Sequence, residues 1–193
     1  ALHSGVRGHH PRRRSGRRRH DRRGEACRQG ESKIARLIGG AVHATHGPCA
    51  WGCVAVWDCD ARRIVAWAVA RENIPLPYRA GRLAFAVSPA ITAALLRLPE
   101  CARPEALIVH GHGLAHPRRF GLACHVGMMH GLPTAGVAEK LLVGSAERPP
   151  AERGAWREVV HDGEVVGAAL RTRAEAKVLF VSPGWGCDLE AAL

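Results

Sequence analysis

The stretch from residue 106 to residue 144 constrains the fold more than any other part of the chain. Residues 106–109 are a short, fully apolar run that predicts a buried strand, and two glycines, Gly111 and Gly113, follow it closely. A second apolar run at residues 133–138 predicts another strand. The segment between the two runs is long enough for a helical crossover, so we expect a parallel βαβ unit.

The crossover helix is predicted to begin at Pro117, because proline is favoured at the first helical position. Apolar residues spaced by four positions predict a buried face made of Phe120, Cys124 and Met128. We expect structural roles for His116, at the start of this helix, and for His125, which lies on it.

Three strands are predicted ahead of this unit, at residues 35–44, 51–59 and 64–70. Because their connections are short, we expect an antiparallel meander. A helix follows, with Ser88 at its N-cap and Pro89 at its first position. Its apolar stripe consists of Ile91, Ala94, Leu95 and Leu98.

Two strands after the βαβ unit, at residues 156–160 and 165–171, flank Asp162-Gly163, which is a strong hairpin signal. A last strand is predicted at residues 178–182. This order of elements indicates an α/β fold of the ribonuclease-H-like class, a mixed sheet with flanking helices. In such a sheet, acidic side chains of the first strand and its parallel neighbour meet at one edge and hold Mg²⁺ for phosphodiester cleavage.

Positive charge is concentrated at the start of the chain. Residues 1–33 carry 11 Lys+Arg and 3 Asp+Glu, a net of +8, whereas residues 34–193 carry 17 and 14, a net of +3. We therefore expect a basic, disordered N-terminal tail over residues 1–33 and one folded domain over residues 34–193. The tail is either an arm that binds nucleic acid by neutralising phosphates, or an unstructured segment, or an artefact of a mis-set gene start.

Seven cysteines without a CxxC spacing indicate reduced thiols that fill small core sites, and hence a cytoplasmic protein. No apolar run of the sequence approaches the ~18 residues of a membrane span, and no secretory segment follows the basic start. We therefore expect no membrane partner, and we expect a monomer.

Five blocks of residues resemble one known family, endonuclease V, in the same order along the chain. Residues 110–127 (HGHGLAHPRRFGLACHVG) resemble its signature, in which Asp-Gly-x-Gly precedes His-Pro-Arg-Arg. The other blocks are residues 77–85 (PYRAGRLAF), 133–144 (PTAGVAEKLLVG), 167–172 (GAALRT) and 181–184 (VSPG). The resemblance extends over residues 38–189, and it implies a domain that is truncated at its C-terminus.

The resemblance implies a ribonuclease-H-like fold and cleavage of DNA or RNA near deaminated purines, chiefly inosine, with Mg²⁺ or Mn²⁺ as cofactor. It also implies that certain positions bind the nucleic acid. These are Pro77 and Tyr78 in a wedge loop, Gly81, Leu83, Gly111 and Gly113 around a displaced base, and Arg118 and Arg119 on phosphates. The alternatives are packing of the tyrosine on the domain, ordinary turn chemistry at the glycines, and a solvated helix start at the arginines.

The family's catalytic positions differ in this chain. Its signature Asp is His110, the Glu of its Phe-Arg-Glu block is Val87, and the Lys of its Gly-Val-Ala-Lys block is Glu139. The His after its Ser-Pro-Gly is Trp185, and its first-strand Asp falls within residues 40–43, which hold no carboxylate. Because Mg²⁺ prefers oxygen ligands, usually carboxylates, we expect that neither Mg²⁺ nor Mn²⁺ binds tightly and that ordinary endonuclease activity is lost.

Three hypotheses about function remain open. The first is a nucleic-acid-binding domain directed to inosine sites, without catalysis. The second is an active metal-dependent endonuclease V in DNA repair, with His43, His110 and Glu139 holding Mn²⁺ or Zn²⁺. A separate idea is that His110, His112 and His43 lie on one edge and bind Zn²⁺, since zinc accepts imidazole ligands; the alternative is that these histidines are packed or solvated. The third is a decayed gene product without a function.

Overall fold

A computed structural model describes residues 37–74 and 83–193 of the protein. Eight strands of these ranges form one mixed sheet: β1 (Leu37–His46), β2 (Cys49–Asp58), β3 (Arg63–Asn73), β4 (Ala106–His110), β5 (Thr134–Ala138), β6 (Trp156–His161), β7 (Glu164–Leu170) and β8 (Leu179–Pro183). The helices are α1 (Leu83–Leu96), α2 (Leu122–His130) and α3 (Leu189–Ala192), with a 3-10 turn at Glu100–Ala102. None of the described helices is long and apolar enough to cross a membrane.

The strand order in the sheet is β3-β2-β1-β4-β5-β8-β7-β6. Strands β1, β4 and β5 run parallel, with Ala41 opposite Val109 and Val109 opposite Gly136, whereas all other neighbours are antiparallel. The predicted meander and the predicted parallel βαβ unit are confirmed. As a result, the carboxyl ends of three adjacent strands open on the same edge of the sheet.

The predicted hairpin at Asp162-Gly163 is also confirmed. Strand β6 pairs with β7, and His161 lies opposite Glu164 across the turn. Both turn residues have positive φ, 54° at Asp162 and 78° at Gly163. A two-residue turn of this kind matches the right-handed twist of the strands, which explains why aspartate and glycine are favoured there.

Helix α1 begins at Leu83, earlier than the Ser88 cap predicted, so that prediction is wrong. Ser88 lies inside the helix with its side chain buried, and Pro89 is an interior residue. Ala86 and Val87, ahead of the proline, are buried against the sheet. Burial of this apolar turn therefore outweighs the local capping signal, as tertiary packing often does. The predicted apolar stripe is buried as expected: Ile91, Ala94, Leu95 and Leu98.

Helix α2 begins at Leu122 rather than at the predicted Pro117. The preceding residues form a tight turn, in which the amide of Gly121 donates to the carbonyl of Gly113 (3.0 Å) and Arg119 has a φ of 52°. A left-handed residue cannot belong to a right-handed helix, so the helix starts after it. The predicted buried face is consequently wrong at two of its three positions. Phe120 and Met128 are exposed, and the buried residues are Leu122, Ala123, Cys124, Val126 and Gly127.

The main core lies where α1 and α2 cover one face of strands β1 to β4. Glycine allows α1 to approach β2 closely, because a Cβ on Gly52 would overlap the backbone of Ala90 and Ile91. The six described cysteines are unpaired; two of them, Cys49 and Cys124, are buried in this half of the protein. The expectation that cysteines fill core sites is wrong for Cys59 and Cys101, which are exposed.

We expect Gly52→Ala to destabilise the fold, because the added methyl must push α1 away from the sheet. Overpacking of this kind costs about 1–3 kcal/mol of unfolding free energy, which urea denaturation would measure. Gly40→Ala is the matched control in the neighbouring strand, since the nearest atom to its Cβ would be 3.9 Å away. Equal loss of stability in the two variants would contradict the packing of α1 described above.

Candidate functional site

A cavity of about 300 Å³ opens at the carboxyl end of β4. It lies between the first turn of α1, the turn that follows β4, and the start of α2. In open α/β sheets, the crevice outside the carboxyl ends of the strands is the usual place for a ligand. Its walls are formed by Leu83, Ala84, Phe85, Gly111, His112, His116, Arg118, Phe120, Gly121, Leu122, His125 and Leu142.

Aromatic rings form one wall of this cavity. The ring of His125 on α2 stands edge-on to Phe85 (centroids 5.2 Å apart) and to Phe120 (6.3 Å). Burial lowers the pKa of His125, so its imidazole is neutral near neutral pH. No sequence pattern indicates that these three residues line one site, although Phe120 and His125 both fall within residues 110–127, the block that follows β4. A neutral, aromatic wall suits a flat and uncharged ligand group.

The two glycines of the turn have different roles. The amide of Gly111 donates to Val137 (2.9 Å), and the amide of Gly113 donates to the hydroxyl of Ser182 (2.8 Å). A Cβ on Gly113 would overlap the carbonyl oxygen of Pro183. Gly111 lines the cavity, whereas Gly113 is buried beneath it. The geometry favours turn and packing chemistry at Gly113, one of the alternatives raised by the sequence.

The two arginines of the turn also differ. Arg118 is exposed at the rim of the cavity. The guanidinium of Arg119 donates to the carbonyl of His161 (2.8 Å) and pairs with Glu164 (3.1 Å). Arg119 therefore ties the turn to the β6–β7 hairpin, and only Arg118 is presented to solvent without rearrangement.

The predicted wedge lies outside the described residues. This applies to Pro77, Tyr78 and Gly81, for which binding of nucleic acid stays a prediction. Of the residues implied to surround a displaced base, Leu83 and Gly111 are brought together in the cavity.

Two histidines meet where β1 runs past the end of β4. The ring centroids of His43 on β1 and His110 on β4 are 5.6 Å apart. Burial, and then the proximity of His110, lower the pKa of His43. Burial also lowers the pKa of His112, with smaller contributions from His116 and His110. The neighbour of His110 in β1 is Val42, which is apolar. The two residues follow the pair Ala41 and Val109 in their strands.

Of the other substituted positions, only Glu139 follows a strand end at this edge, whereas Val87 and Trp185 lie elsewhere. Val87 has 0% exposure and belongs to the hydrophobic core. The amide of Trp185 donates to the hydroxyl of Thr134 (2.9 Å), at the amino end of β5. Glu139 follows β5 and is exposed. Within residues 37–74 and 83–193, no group of three or more His, Cys, Asp or Glu residues is placed to hold a metal ion.

The sheet order and the parallel β1-β4-β5 centre define a ribonuclease-H-like α/β protein. The model of the Endonuclease V family matches residues 23–193, so the chain belongs to the endonuclease V family. It is 44% identical over 158 residues to endonuclease V of Roseiflexus sp. strain RS-1, which covers 82% of this chain and 70% of that protein.

Solved structures agree with this assignment. Endonuclease V of Streptomyces avermitilis superposes with a TM-score of 0.76 at 39% identity, covering 81% of this chain and 68% of the other. The catalytic domain of human endonuclease V gives a TM-score of 0.75 at 29% identity, with 82% and 72% covered. The ribonuclease-H-like fold expected from the order of elements is confirmed.

We expect acidification to destabilise the protein. Burial lowers the pKa of His125, and also that of His130, whose ring bonds to the hydroxyl of Thr92 (3.0 Å) between α2 and α1. In the unfolded chain these histidines have the ordinary pKa of 6.5, so below that pH the unfolded chain takes up protons that the folded chain does not. The stability that the neutral imidazoles contribute is therefore complete above pH 6.5 and is lost as the pH falls below it.

The melting temperature should therefore be lower at about pH 5.5 than at about pH 7.5. His125→Gln should reduce this difference, whereas His46→Gln, an exposed histidine on β1, serves as the control. The same pH dependence in both variants and the unchanged protein would contradict the role assigned to the buried ring.

Proposed function

We propose that this protein binds nucleic acid at sites where a deaminated purine, chiefly inosine, is displaced from its strand, and that it does so without Mg²⁺-dependent cleavage. The observation that carries the proposal is the aromatic cavity at the carboxyl end of β4, beside strand ends that offer imidazoles. Family membership supports the class of ligand. The endonuclease V of Ciona intestinalis, which shares the fold at 22% identity and a TM-score of 0.67, is bound to a DNA that contains an inosine.

The cavity supports the binding of one flat base. Its volume of about 300 Å³ lies at the lower end of ligand pockets in general, and its walls are mostly apolar. Phe85 and Phe120 offer aromatic surfaces, and stacking of a base on an aromatic side chain is worth about 1–3 kcal/mol. Displacing a base costs a few kcal/mol, and least at a mismatched or damaged pair, which favours a deaminated base over a normal one.

Phosphate contacts at the rim would position the strand. Arg118 is the described arginine that faces solvent there, and its amide donates to the Nδ1 atom of His116 (3.2 Å), which fixes the turn beneath it. Such contacts hold the backbone but carry no sequence information. The base cavity must therefore supply the preference for a lesion. Pro77, Tyr78 and Gly81 remain proposed contacts from the family resemblance.

The donors at the strand ends do not suit Mg²⁺. This ion takes oxygen ligands in near-octahedral geometry, whereas the residues just beyond Ala41 and Val109, the last pair between β1 and β4, are Val42, His43 and His110. A glutamate could not replace Val87 without placing a carboxylate in the core. We therefore derive no cleavage step through Mg²⁺ or Mn²⁺ from these residues.

A second candidate function is incision of DNA or RNA near inosine, as part of DNA repair. The observation that favours it is the name Endonuclease V, which the relatives at 36–47% identity share. For this activity the chain would need another set of metal ligands, with His43, His110 and Glu139 as the candidates.

Binding can be tested by gel shift with matched oligonucleotides that differ by a single inosine. The unchanged protein should prefer the inosine strand, and Phe85→Ala or Phe120→Ala should weaken that preference by about 1–3 kcal/mol. Trp67→Ala is the control, because this exposed aromatic lies on β3, away from the cavity. Absence of any binding at low salt would overturn the proposal.

Incision can be tested on an inosine-bearing duplex with Mg²⁺, Mn²⁺ or Zn²⁺. With Mg²⁺ we expect no more product than in the presence of a chelator, because losing several kcal/mol of metal stabilisation lowers the rate tenfold for each ~1.4 kcal/mol. Efficient incision with Mg²⁺ would contradict the proposed loss of catalysis. Activity that persists in His110→Ala would exclude the altered ligand set.

A further inference from the structure

The sheet face of β1 to β4 that lies opposite α1 and α2 carries exposed apolar side chains. Gly52 of β2 points toward α1, so its neighbours Trp51 and Cys53 point away from the helices. Residues directly opposite each other in a sheet share a face, so the register of the strands identifies which other residues lie on this side. Six of them are large, apolar and exposed, and we call them the open face: Val42, Trp57, Ile64, Trp67, Val69 and Ile108.

The apolar area of the open face is large for the surface of a single chain. Trp67 is 70% exposed, and the other five residues are between 43% and 57% exposed. With roughly 150–250 Å² for a fully exposed residue of this size, the six present about 600 Å² of apolar surface. This is at the upper end of the patches that monomeric proteins expose, and such patches are typical of interaction sites.

The charges on this side of the sheet favour a protein partner over nucleic acid. Within the described strands β1 to β4, this side holds one arginine, Arg71, and no lysine or carboxylate. The guanidinium of Arg71 lies over the ring of Trp51, 5.7 Å from its centroid, near one end of the strand. Nucleic acid needs several cations on its phosphates, whereas an uncharged, aromatic centre is typical of the core of a protein interface.

The edge of the sheet is less suited to a partner than the open face. Strand β3 is the edge strand, and it carries Arg63 at its start and Arg71 near its end. Directly after α1, the guanidinium of Arg97 donates to the carbonyl of Val69 (2.6 Å), so an acceptor of this strand is already engaged. Charged residues on an edge strand hinder the addition of another strand. A partner would therefore pack on the face of the sheet.

We propose that the open face binds a second copy of this chain, which makes the protein a symmetric dimer with Trp67 at the centre of the interface. Two facing sheets pack about 10 Å apart, with the side chains of both inner faces filling the space between them. A stable interface takes about 800 Å² from each partner, and the six residues supply most of that area. Because Trp67 lies near the middle of β3, a twofold axis beside it brings the open face of one copy onto the same residues of the other.

Sedimentation equilibrium of the full chain over a range of concentrations tests the dimer against the monomer expected from the sequence. The unchanged protein should approach twice its chain mass of 20.7 kDa as its concentration rises. Trp67→Arg should weaken association about 30-fold or more, because it removes a central aromatic anchor and places two like charges beside the twofold axis. Trp156→Arg is the matched control, since this exposed tryptophan lies on β6 at the opposite end of the sheet.

A second variant, Ile64→Lys, should also weaken association, and it keeps the test decisive if Trp67→Arg does not fold. Circular dichroism would verify the fold of both variants. A monomer at every concentration would overturn the proposal. A dimer that is equally stable in both variants and in the unchanged protein would also overturn it, because the copies would then meet through another surface.

Two further results would assign the open face to another occupant and exclude the dimer. The first is a monomer that loses affinity for oligonucleotides in Trp67→Arg, which would show that nucleic acid lies on this face. The second is a monomer in which acrylamide does not quench the fluorescence of Trp67, obtained as the difference from Trp67→Phe. That result would show that another segment of the chain covers the open face.

Discussion

The contact between the turn after β4 and strand β8 is the constraint on which the rest of the site depends. The buried amide of Gly113 donates to the hydroxyl of Ser182 (2.8 Å), and the amide of Leu114 donates to Pro183 (2.8 Å). Because glycine has no Cβ, the turn lies directly on the backbone of β8 and β5; a side chain on Gly113 or Gly136 would overlap neighbouring main chain. The carbonyl of His112 can then accept from Ala123, which sets the start of α2.

This close packing determines what the edge of the sheet can do. It holds α2 against the first turn of α1, and the space left between them is the aromatic cavity. The same turn leaves His110 beside His43 at the strand ends, where a magnesium site would need carboxylates. The scaffold of the family therefore combines an aromatic cavity with a pair of neighbouring imidazole rings at this edge of the sheet.

The strands could be predicted from the sequence with small errors at their ends, because apolar runs and turn residues are local signals. The helix starts could not. Ser88-Pro89 is a strong local cap, yet burial of Ala86 and Val87 extends α1 beyond it. The cavity was predicted only in part, since its walls come from segments that are distant in the chain. Leu83 and Gly111 were assigned by resemblance, whereas Phe85, Phe120 and His125 became a group only in the fold.

The sequence by itself determined the order of the strands along the chain, the position of the glycine-rich turn and the family resemblance. It also determined that residues 40–43 and 110 hold no carboxylate. These properties depend on residue type and local spacing. Only the tertiary structure decided that Val87 is a core residue, that Arg119 is engaged by the β6–β7 hairpin, and that His43 lies beside His110. The physical reason is that burial, ion pairing and ring contacts are relations between strands and helices that are neighbours in space and far apart in the chain.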